Sequence, residues 1–327
     1  MAARPISPRG YRRVALLALA GLPLIIVVGG AVRLTGSGLG CPEWPNCESN
    51  SLVAPAEYHA VIEFANRLLS GLVGVPIILA LRGALRRQPR RRDLLWLSSA
   101  LVAAVIVQVL IGRLTVLSGL SPLVVMAHFL LAMAMLADGV MLHWAAGRPD
   151  GRKPRPLVGQ DLRRLGSLIV GTTALVVVLG SLVTAAGPHG GDDNAVRLDL
   201  PLRSVAQLHG LTVVLLLLMV IVMTVLLHRS GAPSAVCRRS MTLIGVLLAQ
   251  AAVGYAQYFT GVPVLLVGVH IAGAVAVWMA VLRFRLGLVD QGILEAPPPT
   301  EDRALARRSR RRARMGRDDH RACTGPG

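Results

Sequence analysis

Eight apolar blocks decide what this chain can become. They cover roughly 14–32, 60–82, 94–117, 122–145, 163–186, 203–228, 240–260 and 262–285. About 18–20 apolar residues suffice for a helix to cross the hydrocarbon core of a bilayer. A backbone in lipid must satisfy its own N–H and C=O groups, so blocks of this kind become transmembrane helices. Composition agrees: 54% of residues are hydrophobic, only 16% are charged, and mean hydropathy is +0.59. A soluble domain of 327 residues would need more polar surface. The first block follows Arg4, Arg9, Arg12 and Arg13 but ends in Val32-Arg33-Leu34-Thr35. That is no small-residue cleavage site, so the block reads as a retained span.

The formal net charge of +18 is a matter of topology. Arg86, Arg87, Arg90, Arg91 and Arg92 follow the second block, and Arg148, Arg152, Lys153 and Arg155 follow the fourth. Arg229, Arg238 and Arg239 follow the sixth, and Arg307 to Arg314 carry six more in the tail. All fall on one side of an even-numbered bundle, where arginines set orientation and meet anionic headgroups of the lipid bilayer. Both termini are therefore expected in the cytoplasm of a multi-pass cell-membrane protein. No basic face with interleaved aromatics is present, which excludes nucleic-acid binding. The two long connections, 33–59 and 187–202, face outward.

The halves of the chain resemble each other. Gln108, Gly112, Gly119 and His128 are spaced as are Gln250, Gly254, Gly261 and His270, and a proline (Pro122, Pro263) follows each second glycine. The expected fold is all-α: eight transmembrane helices in two tandem pseudo-symmetric four-helix bundles. The domains are then a cytoplasmic N-terminus (1–13), an N-terminal bundle (14–145), a cytoplasmic linker (146–162), a C-terminal bundle (163–288) and a disordered basic tail (289–327).

Histidines mark the functional level. His128, His209 and His270 each lie about six to eight residues into a span that runs inward, about 9–12 Å below the outer boundary at ~1.5 Å per residue. Asn66 holds the matching position in the second block. A lone histidine in a span is as often a packing residue. A repeat-related set at one depth points to axial ligation of haem iron across a bundle. His143 and His228, at the arginine-rich ends, read as interfacial. In the second block His59, Glu63, Asn66 and Arg67 share one helical face. A carboxylate and a guanidinium at this depth are expensive and point to function, although Glu63 and Arg67 at i and i+4 also suit a simple ion pair. Cys41 and Cys47 lie in Gly-Cys-Pro-Glu-Trp-Pro-Asn-Cys on the oxidising side. They read as a short-loop disulfide rather than a metal site, since no further ligand is near. Cys237 and Cys323 read as free thiols.

The run Gly30-Ala31-Val32-Arg33-Leu34-Thr35-Gly36-Ser37-Gly38-Leu39-Gly40-Cys41-Pro42-Glu43-Trp44-Pro45-Asn46-Cys47, followed by Ile62-Glu63-Phe64-Ala65-Asn66-Arg67, resembles the haem A synthase family. The resemblance covers residues 10 to about 288. It implies an oxidoreductase that converts the C8 methyl of haem O to the formyl group of haem A, through two hydroxylations and a gem-diol, for terminal oxidase assembly. It implies haem b as cofactor, held by His209 and His270, and substrate haem O in the N-terminal bundle beside His128. It assigns the catalytic carboxylate to Glu63 and the loop cysteine pair to Cys41 and Cys47. Haem O synthase is the implied supplier of substrate, and the electron acceptor stays unnamed. Two departures stand out. Many members carry a haem-ligating histidine where this chain has Asn66, so His128 alone, or His128 with His59, holds the substrate iron. The second outer loop also lacks a cysteine pair, which resembles the actinobacterial-type branch.

Two other readings compete. A quinol-linked electron-transfer cytochrome with two b-type haems explains the histidines but not Glu63, Arg67 and the cysteine loop. A transporter explains the repeat, but its polar groups belong at the midplane rather than toward one face.

Overall fold

The structure, a computed structural model, describes residues 6–41, 43–48 and 53–290. The expected tail, with Cys323, lies outside the described residues from 291 onward. Among the described residues there are eight long helices: α1 (Pro8–Leu34), α2 (Tyr58–Arg86), α3 (Arg92–Leu117), α4 (Pro122–Ala146), α5 (Gln160–Ala186), α6 (Leu202–Arg229), α7 (Ser234–Phe259) and α8 (Val264–Leu286). All eight are long and apolar enough to span a membrane. The chain is an all-α multi-pass membrane protein.

Local chemistry sets the helix ends. Ser7 caps α1 by accepting from the Gly10 N–H, and Pro8 follows at a position that needs no N–H donor. The connections from α3 to α4 and from α7 to α8 are built alike. Gly119 and Leu120 have φ of 60° and 61°, and Gly261 and Val262 have φ of 81° and 59°. Two successive left-handed residues turn the chain sharply, and the first is glycine because it has no Cβ to clash. The Leu120 N–H returns to the Thr115 carbonyl and the Val262 N–H to the Gln257 carbonyl, closing each helix end.

In the first half α1 packs on α2 and α4, and α3 on α2 and α4. In the second half α5 packs on α6 and α8, and α7 on α6 and α8. The halves meet where α1 touches α8 and α4 touches α5 and α8. Small residues allow these approaches. Gly21 lies against Val73, Gly83 against Tyr11, and Gly30 against Ile271. The Trp278 indole N–H donates to the Met133 carbonyl at 2.9 Å, which fixes α8 to α4. Outward, Leu17, Leu68, Leu110, Leu168 and Leu211 are exposed, as a lipid-facing surface requires.

Three of the arginines assigned to topology do more than meet headgroups. Arg87 is 1% exposed. Its Nη2 donates to Asp150 at 2.7 Å. Arg91 pairs with Asp93 at 2.6 Å, and Arg148 pairs with the same carboxylate. The hydrogen-bonded Asp93 carboxylate raises Arg91 above its ordinary pKa. This network ties the α2–α3 connection to the end of α4. A two-residue ribbon pairs Arg155–Pro156 with Val289–Asp290 antiparallel. It joins the linker to the residues after α8, which no sequence pattern indicated.

Candidate functional site

Four positions lie at similar counts from the starts of their helices. Asn66 is the ninth residue of α2, His128 the seventh of α4, His209 the eighth of α6 and His270 the seventh of α8. At ~1.5 Å per residue each lies about 9–12 Å along its own helix. Each histidine ring rests against a glycine of the preceding helix. A Cβ at Gly112 would meet His128 Cε1 at 3.2 Å, one at Gly180 would meet His209 Cε1 at 3.1 Å, and one at Gly254 would meet His270 Cε1 at 3.0 Å. Glycine at these places is a matter of room: the Cε1 edge of each ring sits where a side chain would stand.

His209 and His270 face each other with ring centroids 6.5 Å apart, inclined at 74°. With metal–imidazole bonds of about 2.0–2.1 Å and about 1.2 Å from ring centre to nitrogen, two axial ligands of one iron stand about 6.4 Å apart. The pair fits one haem iron. His209 Nδ1 lies 3.1 Å from the Val176 carbonyl. A carbonyl only accepts, so Nδ1 carries the proton and Nε2 presents a lone pair. Among the described residues no cluster of three or more His, Cys, Asp or Glu is arranged to hold a bare metal ion. Two imidazoles alone suffice for a macrocycle that brings its own equatorial ligands.

The first half offers a different set. Asn66 Oδ1, Gln108 Oε1 and His128 Nδ1 are buried without a hydrogen-bond partner. Three orphaned polar atoms in one bundle are costly unless a ligand answers them. His128 thus sits in a looser setting than His209 and His270.

The outer loop is built onto α2. Cys41 and Cys47 form a disulfide, and both are buried. The Cys41 N–H donates to Glu63 Oε2 at 2.8 Å, and Arg67 Nη2 donates to Glu63 Oε1 at 2.6 Å. Arg67 Nη1 donates to the carbonyls of Glu43, Pro45 and Asn46 at 2.8, 3.2 and 3.0 Å. The expected Glu63–Arg67 pair therefore forms, and it also clamps the disulfide loop. Gly40 lets the loop lie on the start of α2, since a Cβ there would collide with the His59 carbonyl. His59 is exposed, and its Nδ1 meets Ser37 Oγ at 2.9 Å. It lies seven residues outward of Asn66, against the outer loop.

Some polar residues escaped the sequence reading. Arg33 donates to the carbonyls of His189 at 2.6 Å and Thr184 at 2.8 Å, joining the end of α1 to the end of α5. Cations suit the carbonyl end of a helix. Asp138, in mid α4, has Oδ1 buried and unpartnered; its signal was a lone acid in an apolar run. Gln108 and Gln250 were visible only as repeat markers.

A family model described as cytochrome oxidase assembly protein matches residues 12–188. A protein named Heme A synthase from Shouchella clausii is 26% identical over 301 residues, which cover 86% of this chain and 98% of that protein. A Heme A synthase from Alkalihalophilus pseudofirmus is 34% identical over 134 residues, covering 41% of this chain and 45% of that protein. A Protoheme IX farnesyltransferase from Thermus thermophilus is 26% identical over 291 residues, 82% of this chain and 47% of that protein.

Proposed function

The chain belongs to the cytochrome oxidase assembly protein family, and on that premise we propose that it is a haem A synthase. Its reaction removes four electrons from the C8 methyl of haem O and adds one oxygen atom, leaving the formyl group of haem A. The observation that carries this reading is the inequality of the two halves. His209 and His270 have the spacing of an axial pair, whereas Asn66 and His128 leave polar atoms unanswered. A permanent cofactor suits the first arrangement and an exchangeable substrate the second. A relay with two equivalent haems gives no reason for the difference.

Haem b, when bound by His209 and His270, supplies one-electron transfer. The remaining work falls to side chains. His128 holds substrate haem from one face and leaves the other, beside Asn66, without a second imidazole. His59 is left out of this set because it lies seven residues, about 10 Å along α2, outward of Asn66. Both Glu63 oxygens are engaged, by the Cys41 amide and by Arg67. A carboxylate held this way is a fixed negative charge, suited to stabilising positive charge as it develops on the substrate. Taking up a proton would require it to release Arg67, so the geometry favours the electrostatic role. The disulfide is buried, which favours a structural part for Cys41 and Cys47 over exchange with a partner thiol.

The arginine-rich face is cytoplasmic, and the two long connections lie outside the plasma membrane. Haem O synthase supplies the substrate; the similarity to a protein named Protoheme IX farnesyltransferase is consistent with that link. Haem A passes to terminal oxidase assembly, and electrons pass to an acceptor still to be identified. The test is co-expression with a source of haem O, followed by haem extraction and chromatography. Haem A is the expected product; extraction of haem b and unaltered haem O alone would leave the electron-relay reading standing and remove this one.

A further inference from the structure

Two glutamines lie behind two of the histidines. Gln250, on α7, places Nε2 3.0 Å from His270 Nδ1 and 2.9 Å from the His270 carbonyl. Its amide sits where Gly273 of α8 has no Cβ; a side chain at 273 would overlap it. Gln108, on α3, donates to the His128 carbonyl at 3.1 Å. Its Oε1 and His128 Nδ1 are both buried and unpartnered. Three residues past His128 stands Leu131, where Gly273 stands three past His270. The glycine seat is thus present behind His270 and missing behind His128.

We propose that Gln250 is a positioning residue for His270, with Gln108 its looser counterpart for His128. The Gln250 amide sets which imidazole nitrogen of His270 carries the proton. The inference rests on the haem ligation proposed above. A neutral imidazole has one proton and ligates iron through the bare nitrogen, so Nε2 ligation requires the proton on Nδ1. At His209 the Val176 carbonyl enforces this permanently, because it only accepts. An amide offers either face. With nitrogen toward Nδ1, the proton belongs on Nε2 and the ring cannot ligate. With Oε1 toward Nδ1–H, Nε2 is free. Loading of His270 therefore needs Oε1 toward Nδ1–H, which gives up the Nε2 bond to the His270 carbonyl in exchange for the bond to the ring. His128 and Gln108 hold a complementary donor and acceptor that are not yet joined. That gives His128 a weaker hold, as suits a substrate that must leave.

The experiment uses the full chain purified from haem-replete cells. Haem transfer to apomyoglobin and the haem midpoint potential are measured in wild type, Gln250→Leu, Gln250→Glu and Gly273→Ala. Removing such an outer partner costs about 10- to 100-fold in affinity, so Gln250→Leu and Gly273→Ala should lose haem about that much more readily. Gln250→Glu should keep haem at a lower midpoint potential, because a carboxylate draws the Nδ1 proton and makes Nε2 a stronger donor. Wild-type affinity in Gln250→Leu, or wild-type potential in Gln250→Glu, overturns the proposal. Gln108→Leu should bind added haem O more weakly in an absorbance titration, and unchanged binding removes the counterpart role. His270→Ala separates the two levels: if it retains haem as wild type does, ligation itself is wrong, whatever Gln250 shows.

Discussion

The glycine notches behind the histidines allow a substitution of one methyl group to test the whole site. In Gly254→Ala the new Cβ lies 3.0 Å from His270 Cε1 and 3.5 Å from Nδ1. Carbon atoms prefer about 3.5–4.0 Å, so the ring edge must retreat by about 0.5 Å. A functional constellation tolerates about 0.5 Å and 10–20° before it fails. The methyl thus moves His270 to the edge of productive geometry without touching its chemistry. Gly180→Ala does the same to His209, with a contact of 3.1 Å. Each should weaken haem retention about tenfold or more, which is about 1.4 kcal/mol per tenfold. The controls are on the same helices. Gly245 on α7 and Gly171 on α5 have no atom within 4 Å of an added Cβ. Alanine there favours the helix by up to about 1 kcal/mol, so the fold survives. The assay is the haem-to-protein ratio after purification, with the reduced-minus-oxidised spectrum. If Gly254→Ala and Gly180→Ala keep haem and spectrum as Gly245→Ala and Gly171→Ala do, the two rings are not seated as an axial pair.

Three more tests address the first half and its loop. Asn66→His supplies a second imidazole facing the His128 level; haem per protein should rise while haem A formation falls, and an unchanged stoichiometry would argue against Asn66 lying at a haem. Glu63→Gln keeps an acceptor for the Cys41 amide but removes the charge, so haem A yield should fall at least about tenfold, ~1.4 kcal/mol of barrier, with haem b content intact; wild-type yield would end Glu63's assignment. Arg67→Met leaves Glu63 buried without its cation, a loss of about 3 kcal/mol for a broken buried pair. The Cys41–Cys47 disulfide should then be reduced and alkylated faster, and unchanged labelling kinetics would show that Arg67 does not hold the loop.

Much of this molecule was legible before any coordinates. The eight spans followed from block length, because lipid admits no unpaired backbone. The helices extend past the apolar blocks by a few residues, as α2 does to Arg86, since helical hydrogen bonding continues through arginines that hydropathy counts against. The like positions of His128, His209 and His270 along their helices followed from residue spacing, because distance along a helix is linear in residue number. Side-chain partnership was not legible. Linear spacing put Glu63 and Arg67 on one face, but only packing showed that both also grip the disulfide loop. Spacing put His59 on that face too, and packing adds that Ser37 of the loop meets its Nδ1.

The sequence by itself determined the membrane class, the number of spans, the depth of the polar level and the odd position at Asn66, all properties of composition and of period along one helix. Tertiary structure alone decided which rings face each other, which nitrogen of His209 is bare, and why Gln250 has a seat that Gln108 lacks. Those depend on two helices approaching to within a glycine's width, and no one-dimensional pattern encodes a distance between helices.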